Sequence, residues 1–194
     1  IKPDDKNMRE LSELVNLLEK EFQIDLKIIS GGNSANYEWF KSSQNIGRIN
    51  NLRVGESILL GCETLGRKAI PGLHRNAFQL VAEVIESKRK ASVPLGEICQ
   101  DAFGNVPGFL DRGDHQRVII ALGRQDIQAS NLKPNIKLTM IGSSSDHIIL
   151  DGENYNLKVG DEIRFGLDYS GLLATMTSPF VTKQFTESNA HVAA

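Results

Sequence analysis

Two glycine-marked stretches near the start of the chain have the residue types that bind a phosphate. Residues 30–36 follow the short apolar run 26–29 and are rich in glycine, serine and asparagine, which tolerate positive φ and expose backbone N–H groups. Residues 50–57 form a second such stretch, and Arg53 within it adds a guanidinium group. Because backbone N–H groups and an arginine together attract an anion, the pattern favours a phosphate site, with a simple tight turn as the alternative.

Carboxylates in the second half of the chain could move protons or hold a substrate. Glu97 and Asp101 flank Cys99, and a carboxylate there could act as a general acid or base or bind a substrate ammonium group. The alternative is a solvated strand end. Arg124 and Asp126 follow a strongly apolar run, where such a pair could instead brace a turn. No group of cysteine and histidine residues has the spacing of metal ligands.

Two different kinds of structure must position these residues. Residues 3–22 have an acidic helix start and one apolar face at helical spacing, and they precede the predicted strand 26–29. A short helix is predicted at 38–43. Further along, short β-type runs alternate with turns, which predicts a β-sandwich or barrel. The runs are 78–85, 93–98, 117–122, 136–141, 147–150, 162–167 and 180–185.

The sequence therefore divides into an α/β part, residues 1–70, and an all-β part, residues 71–194, with a linker near 66–76. One or two αβ units cannot build a covered parallel sheet, because parallel strands need neighbours on both sides and helices outside. We therefore expect the chain to be the C-terminal part of a longer protein, whose other part contains further βα units.

The composition is that of an ordinary globular protein. Of 194 residues, 40% are hydrophobic and 24% are charged, and the formal net charge is -2. We expect no nucleic-acid partner, because no basic cluster is present, and no membrane partner, because no apolar run approaches spanning length. The two cysteines, Cys62 and Cys99, do not make a disulfide framework, so we expect a reducing, cytoplasmic setting.

Several short motifs occur in order over nearly the whole chain. They are SGGNS at 30–34, NNLRVGESILLG at 50–61, PGLH at 71–74, VPLGEI at 93–98, DAFGN at 101–105, GRQD at 123–126, SSDH at 144–147 and MTSP at 176–179. Taken together, they resemble the alanine racemase superfamily, and most closely its ornithine racemase-like branch of pyridoxal-phosphate enzymes.

The resemblance implies a fold-type III enzyme that works as a head-to-tail homodimer. An N-terminal (β/α)8 barrel would hold pyridoxal 5'-phosphate, and a β-domain would follow it. Residues 1–70 would then be the last βα units of the barrel. Phosphate sites of such barrels commonly lie in the loops after strands 7 and 8, where both glycine-marked stretches fall. The interpretation of the residues and the resemblance agree at this point.

The resemblance also assigns cofactor contacts by position. They are Asn33, Ser34, Ala35, Arg53, Gly55, Glu56 and Tyr169. Arg53 matches the arginine that faces the pyridine nitrogen, and Tyr169 matches a tyrosine that hydrogen-bonds the phosphate. A guanidinium beside that nitrogen keeps it unprotonated, because two adjacent positive charges are unfavourable, and this favours racemisation over transamination.

Racemisation needs two acid/base groups on opposite faces of the substrate Cα. In the family these are the lysine that binds the cofactor covalently and a tyrosine from the partner subunit's β-domain. No lysine of this chain matches the first, and the tyrosine position after residues 94–96 is Glu97. Glu97 could replace the phenol, Asp101 or Cys99 could do so, or Glu97 could bind the side-chain ammonium of a basic amino acid. Asp126 is a candidate substrate contact.

These observations predict the C-terminal portion of a racemase for small-molecule amino acids of the ornithine, lysine and alanine class. We expect the chain alone to be inactive, because it lacks the lysine. One alternative is a β-domain module that dimerises or binds a ligand without catalysis. Another is a pyridoxal-phosphate carrier protein, which would share a barrel but should lack this long β-region.

Overall fold

The computed structural model describes residues 2–100, 104, 106–152 and 155–186. The chain forms two compact units that divide between Phe78 and Gln79, close to the predicted linker. The helices are α1 (Asp5–Phe22), α2 (Tyr37–Ser42), α3 (Glu56–Leu60) and α4 (Tyr169–Thr177). The strands are β1 (Ser30–Asn33), β2 (Asn51–Arg53), β3 (Leu80–Ala91), β4 (Asp114–Ile120), β5 (Leu132–Pro134), β6 (Thr139–Ser143), β7 (Ile148–Asp151) and β8 (Glu162–Leu167). The first unit is mixed α/β and the second is mainly β, as the sequence predicted.

Helix α1 begins where the acidic start predicted it. The Asp4 carboxylate accepts the Asn7 N–H at 2.8 Å, and the Asn7 side chain accepts the Asp4 N–H at 3.2 Å, so each residue caps the other. The apolar face of α1 contributes to a small core. Its buried members are Val15, Ile29, Trp39 and Ile49, with Met8, Leu11, Leu26, Phe40 and Ile46 packed against them.

The first strand lies later in the chain than predicted. Residues 26–29 do not form a strand, and β1 instead occupies part of the predicted loop and pairs in parallel with β2. The Asn50 side chain accepts the Ile29 N–H at 2.9 Å and donates to the Lys27 carbonyl at 2.8 Å. This amide satisfies backbone groups that a neighbouring strand would otherwise pair. Gly31 brings β1 close to the core, since a Cβ there would lie 2.7 Å from the Ile49 Cγ2.

The second unit is built on a six-stranded antiparallel sheet in the order β5-β8-β3-β4-β7-β6. Strand β3 pairs with β8 through residues 80–83 and with β4 through residues 84–91, with a register shift between Val84 and Glu86. Over residues 80–85 of β3, buried side chains alternate with exposed ones, as expected for a sheet with one packed face. The buried core consists of Leu80, Ala82, Val84, Val118, Ile120, Leu122, Ile127, Leu132, Ile148, Leu150, Ile163 and Phe165.

In the second unit, two predicted strands are wrong, and two elements were missed. Residues 93–98 and 180–185 form no strand. Gly96 has a φ of 103°, so the backbone of the first run turns away from an extended path. Strand β5 and helix α4 were not predicted. The Asp168 carboxylate caps α4 by accepting the Gly171 N–H at 2.7 Å. Among the described residues, no helix has the length and apolar character needed to cross a membrane.

Candidate functional site

The two predicted glycine-marked stretches come together in the first unit. Strands β1 and β2 are parallel neighbours, with Asn33 opposite Arg53. A 3₁₀ turn at Ser34–Asn36 follows β1, and helix α3 closely follows β2. Because the carboxyl ends of parallel neighbours meet at one edge of a sheet, these two segments lie side by side.

The hydroxyl of Ser34 joins the two segments. Its Oγ accepts the Gly55 N–H at 3.3 Å and the Ser57 N–H at 3.2 Å, and the side chain is buried. Within the part of the chain that the structure describes, no acceptor takes the Ser34 O–H. A hydroxyl that accepts two N–H groups and has its proton free is oriented to donate to an anion. We call Ser34, Gly55, Glu56 and Ser57, a candidate site for a phosphate, the phosphate cradle.

Ser57 is a residue that the sequence analysis did not assign. It is 2% exposed, and its hydroxyl has no hydrogen-bond partner among the described residues. A buried polar group without a partner is costly, so it points to a ligand that supplies one. Beside it, a Cβ added to Gly55 would meet nothing within 4 Å, which leaves open space along this backbone. Both observations fit a phosphate at the cradle. The signal in the sequence was the position of Ser57 directly after Gly55 and Glu56.

Arg53 lies at the end of β2 and reaches across to β1. Its guanidinium donates to the Ser30 Oγ at 2.5 Å, and the arginine itself is exposed. A guanidinium group is charged at every ordinary pH, so Arg53 places a fixed positive charge beside the two strands.

The other two predicted phosphate contacts shape the turn that carries Ser34. The Asn33 side chain accepts the Ala35 N–H at 3.0 Å, which closes the 3₁₀ turn at its start. The side chain of Asn33 and the amide of Ala35 are therefore bound to each other. Glu56, the last predicted contact of this unit, directs its carboxylate to the Arg67 guanidinium and keeps only its backbone in the cradle.

Two of the predicted site residues of the second unit, Tyr169 and Asp126, lie outside the long connection between β3 and β4. Tyr169 is the first residue of α4 and is 42% exposed. Asp126 is buried, where its carboxylate accepts the Ser178 O–H at 3.0 Å and the Gly123 N–H at 3.3 Å. These bonds make Asp126 a brace of the turn that follows β4, which was one of the two roles left open. Its predicted contact with a substrate stays a prediction.

The proposed acid/base residues fall in the long connection between β3 and β4. Glu97 and Cys99 are exposed in irregular backbone, and Asp101 lies outside the described residues. The structure therefore places Glu97 in solvent within this unit. Within the described ranges, no group of three histidine, cysteine, aspartate or glutamate residues could hold a metal ion.

The two ends of this connection are fastened to each other. The Ser92 N–H donates to the Gly113 carbonyl at 2.9 Å, and the Arg112 N–H donates to the Ser92 Oγ at 2.7 Å. The buried Arg117 donates to the Ser92 carbonyl at 3.2 Å. Arg112 also pairs with Asp151 of β7 at 3.0 Å. The segment that carries Glu97 thus leaves and rejoins the sheet at one fixed base.

No family model matches the chain, but individual relatives do. It is 42% identical over 185 residues to the ornithine racemase of Acetoanaerobium sticklandii, a match that covers 94% of this chain and 52% of that protein. It is 43% identical over 180 residues to the lysine racemase of Thermotoga maritima, covering 92% of this chain and 51% of that protein. The chain therefore spans about half the length of the curated relatives it matches.

Solved alanine racemases share the fold. The alanine racemase of Bartonella henselae with covalently bound pyridoxal phosphate superposes with a TM-score of 0.56 at 20% identity, over 84% of this chain and 44% of that one. The alanine racemase of Bacillus anthracis with bound L-Ala-P gives a TM-score of 0.58 at 20% identity, over 82% of this chain and 40% of that one. The fold is therefore that of part of an alanine racemase. Together with the two relatives, it confirms the resemblance of the chain to part of an enzyme of the alanine racemase family.

Proposed function

We propose that this chain is the C-terminal portion of an enzyme that interconverts the L- and D-forms of an amino acid with pyridoxal phosphate. The substrate class is that of ornithine, lysine and alanine. The observation that carries the proposal is the phosphate cradle, where a buried hydroxyl without a partner lies beside open backbone. The relatives of known activity, an ornithine racemase and a lysine racemase, support the reaction type.

The cradle residues would hold the cofactor phosphate. The Ser34 and Ser57 hydroxyls each have a proton to donate, and the Gly55 and Glu56 backbone leaves room for the anion. Asn33 and Ala35 support the turn that presents Ser34. Tyr169 belongs to the same proposed set, because its exposed phenol on α4 can donate a hydrogen bond.

Pyridoxal phosphate supplies an electron sink that weakens the Cα–H bond of a bound amino acid. The role of Arg53 is to keep the pyridine nitrogen unprotonated, since its permanent positive charge opposes a second one nearby. Arg53 would thereby limit the strength of the electron sink and favour return of the proton to Cα, which changes the configuration of the amino acid without transferring its amino group.

Glu97 is our candidate for the group that gives or takes a proton at Cα on one face, with Asp101 as the alternative. An exposed carboxylate on a connection with a fixed base can reach the site of a second subunit. We therefore propose a homodimer. The exposed Leu95 and Leu110 on the same connection support a contact surface there. The family lysine has no match in this chain, so the chain alone is proposed to be inactive. Its two free cysteines suit a cytoplasmic location.

The test uses the full-length protein with ornithine, lysine and alanine. We expect cofactor absorbance and a loss of optical rotation as each active substrate is racemised. If Glu97 carries the proton, Glu97→Gln lowers kcat by roughly 10²- to 10⁴-fold and changes KM little. If Glu97 instead binds a side-chain ammonium, the variant raises KM for ornithine and lysine but leaves alanine unaffected.

Two results would contradict the proposal. A full-length protein that takes up no pyridoxal phosphate would favour the non-catalytic β-domain module. Racemisation by a verified 194-residue preparation would overturn the expected inactivity of the chain alone.

A further inference from the structure

We propose that Arg67 is a positioning residue for the cofactor phosphate, because its ion pair with Glu56 holds the backbone of the phosphate cradle against Ser34. The inference rests on the proposed function, since it concerns the same phosphate. It assigns a role to a residue outside the two glycine-marked stretches.

The hairpin that carries Arg67 follows α3 directly. Cys62 and Ala69 face each other across an isolated antiparallel bridge, and the Glu63 N–H donates to the Lys68 carbonyl at 2.9 Å. The Ile70 N–H donates to the Gly61 carbonyl at 3.0 Å, which ties the end of the hairpin to the end of α3. The hairpin and α3 therefore form one local structure.

A buried carboxylate fixes the tip of this hairpin. Glu63 accepts the N–H groups of Leu65 at 2.7 Å, Gly66 at 2.9 Å and Lys68 at 2.8 Å. The bonds from Lys68 and Gly66, which favour the charged form, hold the pKa of Glu63 below its ordinary range. The residue between these donors, Arg67, is thereby set in one backbone conformation.

That conformation is unfavourable for any residue other than glycine. Arg67 has a φ of 59°, in the left-handed region, which costs a residue with a Cβ about 1 kcal/mol. Glycine would form the same turn without this cost. An arginine here has a different use, which the structure shows: its guanidinium binds the Glu56 carboxylate.

The ion pair acts on the cradle through the backbone of Glu56. Glu56 lies between Gly55 and Ser57, whose N–H groups both donate to the Ser34 Oγ. Its carboxylate is largely covered, whereas the Arg67 side chain is 54% exposed. A half-exposed ion pair contributes only about 0–1 kcal/mol to stability. Removal of Arg67 should therefore change the geometry of the cradle more than the stability of the unit.

The experiment compares Arg67→Gly, Arg67→Gln and Arg67→Lys in the full-length protein. Arg67→Gly removes the ion pair and also relieves the backbone, so loss of folding cannot explain its effect. The first measurement is the affinity for pyridoxal phosphate and for pyridoxal, which lacks the phosphate. The second is hydrogen exchange of the Gly55 and Ser57 amides. The matched control is Arg48→Gln, which removes another arginine–glutamate pair of the same unit, with Glu19 at 2.8 Å.

We expect Arg67→Gly and Arg67→Gln to lose about 3- to 10-fold in affinity for pyridoxal phosphate and nothing for pyridoxal. Exchange of the two amides should rise, and Arg67→Lys should restore both values in part. The Arg48 control should leave the ratio of the two affinities unchanged. If the parent protein prefers the phosphorylated form and the Arg67 variants keep that preference and amide protection, the positioning role is overturned. If the parent protein binds pyridoxal phosphate no better than pyridoxal, the proposed function is overturned as well. In that case, unchanged exchange of the Gly55 and Ser57 amides in the Arg67 variants would by itself overturn the positioning role.

Discussion

The two units of the chain are held together in different ways. The first has a core of four buried apolar residues, Val15, Ile29, Trp39 and Ile49. Its connections depend on polar side chains that bind the backbone, such as Asn50 at residues 27–29 and Glu63 at its hairpin. Among the described residues of the second unit, twelve buried apolar side chains form a core that spans a six-stranded sheet.

Because of this difference, the two units respond differently to the replacement of single side chains. Apolar packing tolerates changes of side chain that keep volume, whereas a polar brace fails when one atom is replaced. The first unit carries the phosphate cradle on such braces. In the second unit, the connection that carries Glu97 is bonded at both ends to a sheet with a packed core.

The largest effect is expected in the core of the second unit. Phe165 is fully buried, and Phe165→Ala should lower the free energy of unfolding by about 3–5 kcal/mol, because it leaves a cavity in the sheet core. Chemical denaturation measures this free energy, and hydrogen exchange on peptides of the second unit shows that the loss occurs there. The matched control is Phe180→Ala, at a residue 69% exposed, which should change little. Equal effects of the two variants would contradict the packed core.

The next effect is expected at the Glu63 hairpin and depends on pH. Glu63→Gln should cost about 1–3 kcal/mol, because neutral oxygen accepts the three N–H groups less strongly. The folded pKa of Glu63 lies below the ordinary value of 4.5, so its stabilisation is complete above about pH 4.5 and is lost as the pH falls through the lowered pKa. Unfolding curves between pH 6 and 3, at roughly one-unit steps, should therefore converge for the wild type and the variant. Glu13→Gln, at an exposed site of α1, is the control.

A smaller effect is expected where Asn50 replaces strand pairing. Asn50→Ala should cost about 1–2 kcal/mol, because it leaves the Ile29 N–H and the Lys27 carbonyl without their partner. Asn50→Asp keeps the acceptor and loses the donor, so its stability should lie between those of the wild type and of Asn50→Ala. Hydrogen exchange at the Ile29 amide should quicken in the alanine variant and much less in the aspartate variant. If the Ile29 amide exchanged equally fast in the wild type and in Asn50→Ala, this brace would be dispensable.

The smallest effect is expected at a surface network of the second unit. Glu86 binds Lys88 at 2.7 Å and also pairs with Lys90, and these bonds lower its pKa to about 2. The lysines are largely solvated, so Glu86→Gln should cost at most about 1 kcal/mol, and less at high salt. A thermal melt at low and high ionic strength measures it. A loss as large as that of Phe165→Ala would erase the contrast between packing and polar contacts in this unit.

Elements with local signals could be predicted from the sequence. The start of α1 follows from Asp4, and the bounds of β8 agree with the predicted run 162–167. Both depend on residues that are neighbours in the chain. The pairing of the two glycine-marked stretches was also expected, because the family resemblance placed them after adjacent strands.

The remaining features depend on contacts that the sequence does not display. Strand β5 has three residues and exists because it pairs with β8, and helix α4 has apolar residues without a clear face. Ser57 looks like any small polar residue until its hydroxyl is seen to be buried without a partner. The role of Arg67 depends on a turn that places it opposite Glu56.

The order of strands in the large sheet also has a consequence for how it forms. Ser144 and His147 at the β6–β7 turn meet across three residues of chain, whereas Gln79 and Arg164, beside the β3–β8 ladder, are 85 residues apart. Contacts between distant residues form slowly, because the entropy of closing the intervening chain must be lost first. During synthesis, β3 leaves the ribosome long before β8 exists. Until then the apolar side of its first half, Leu80 and Ala82, has no covering strand beside it, and this is where a newly made chain is most open to pairing with another.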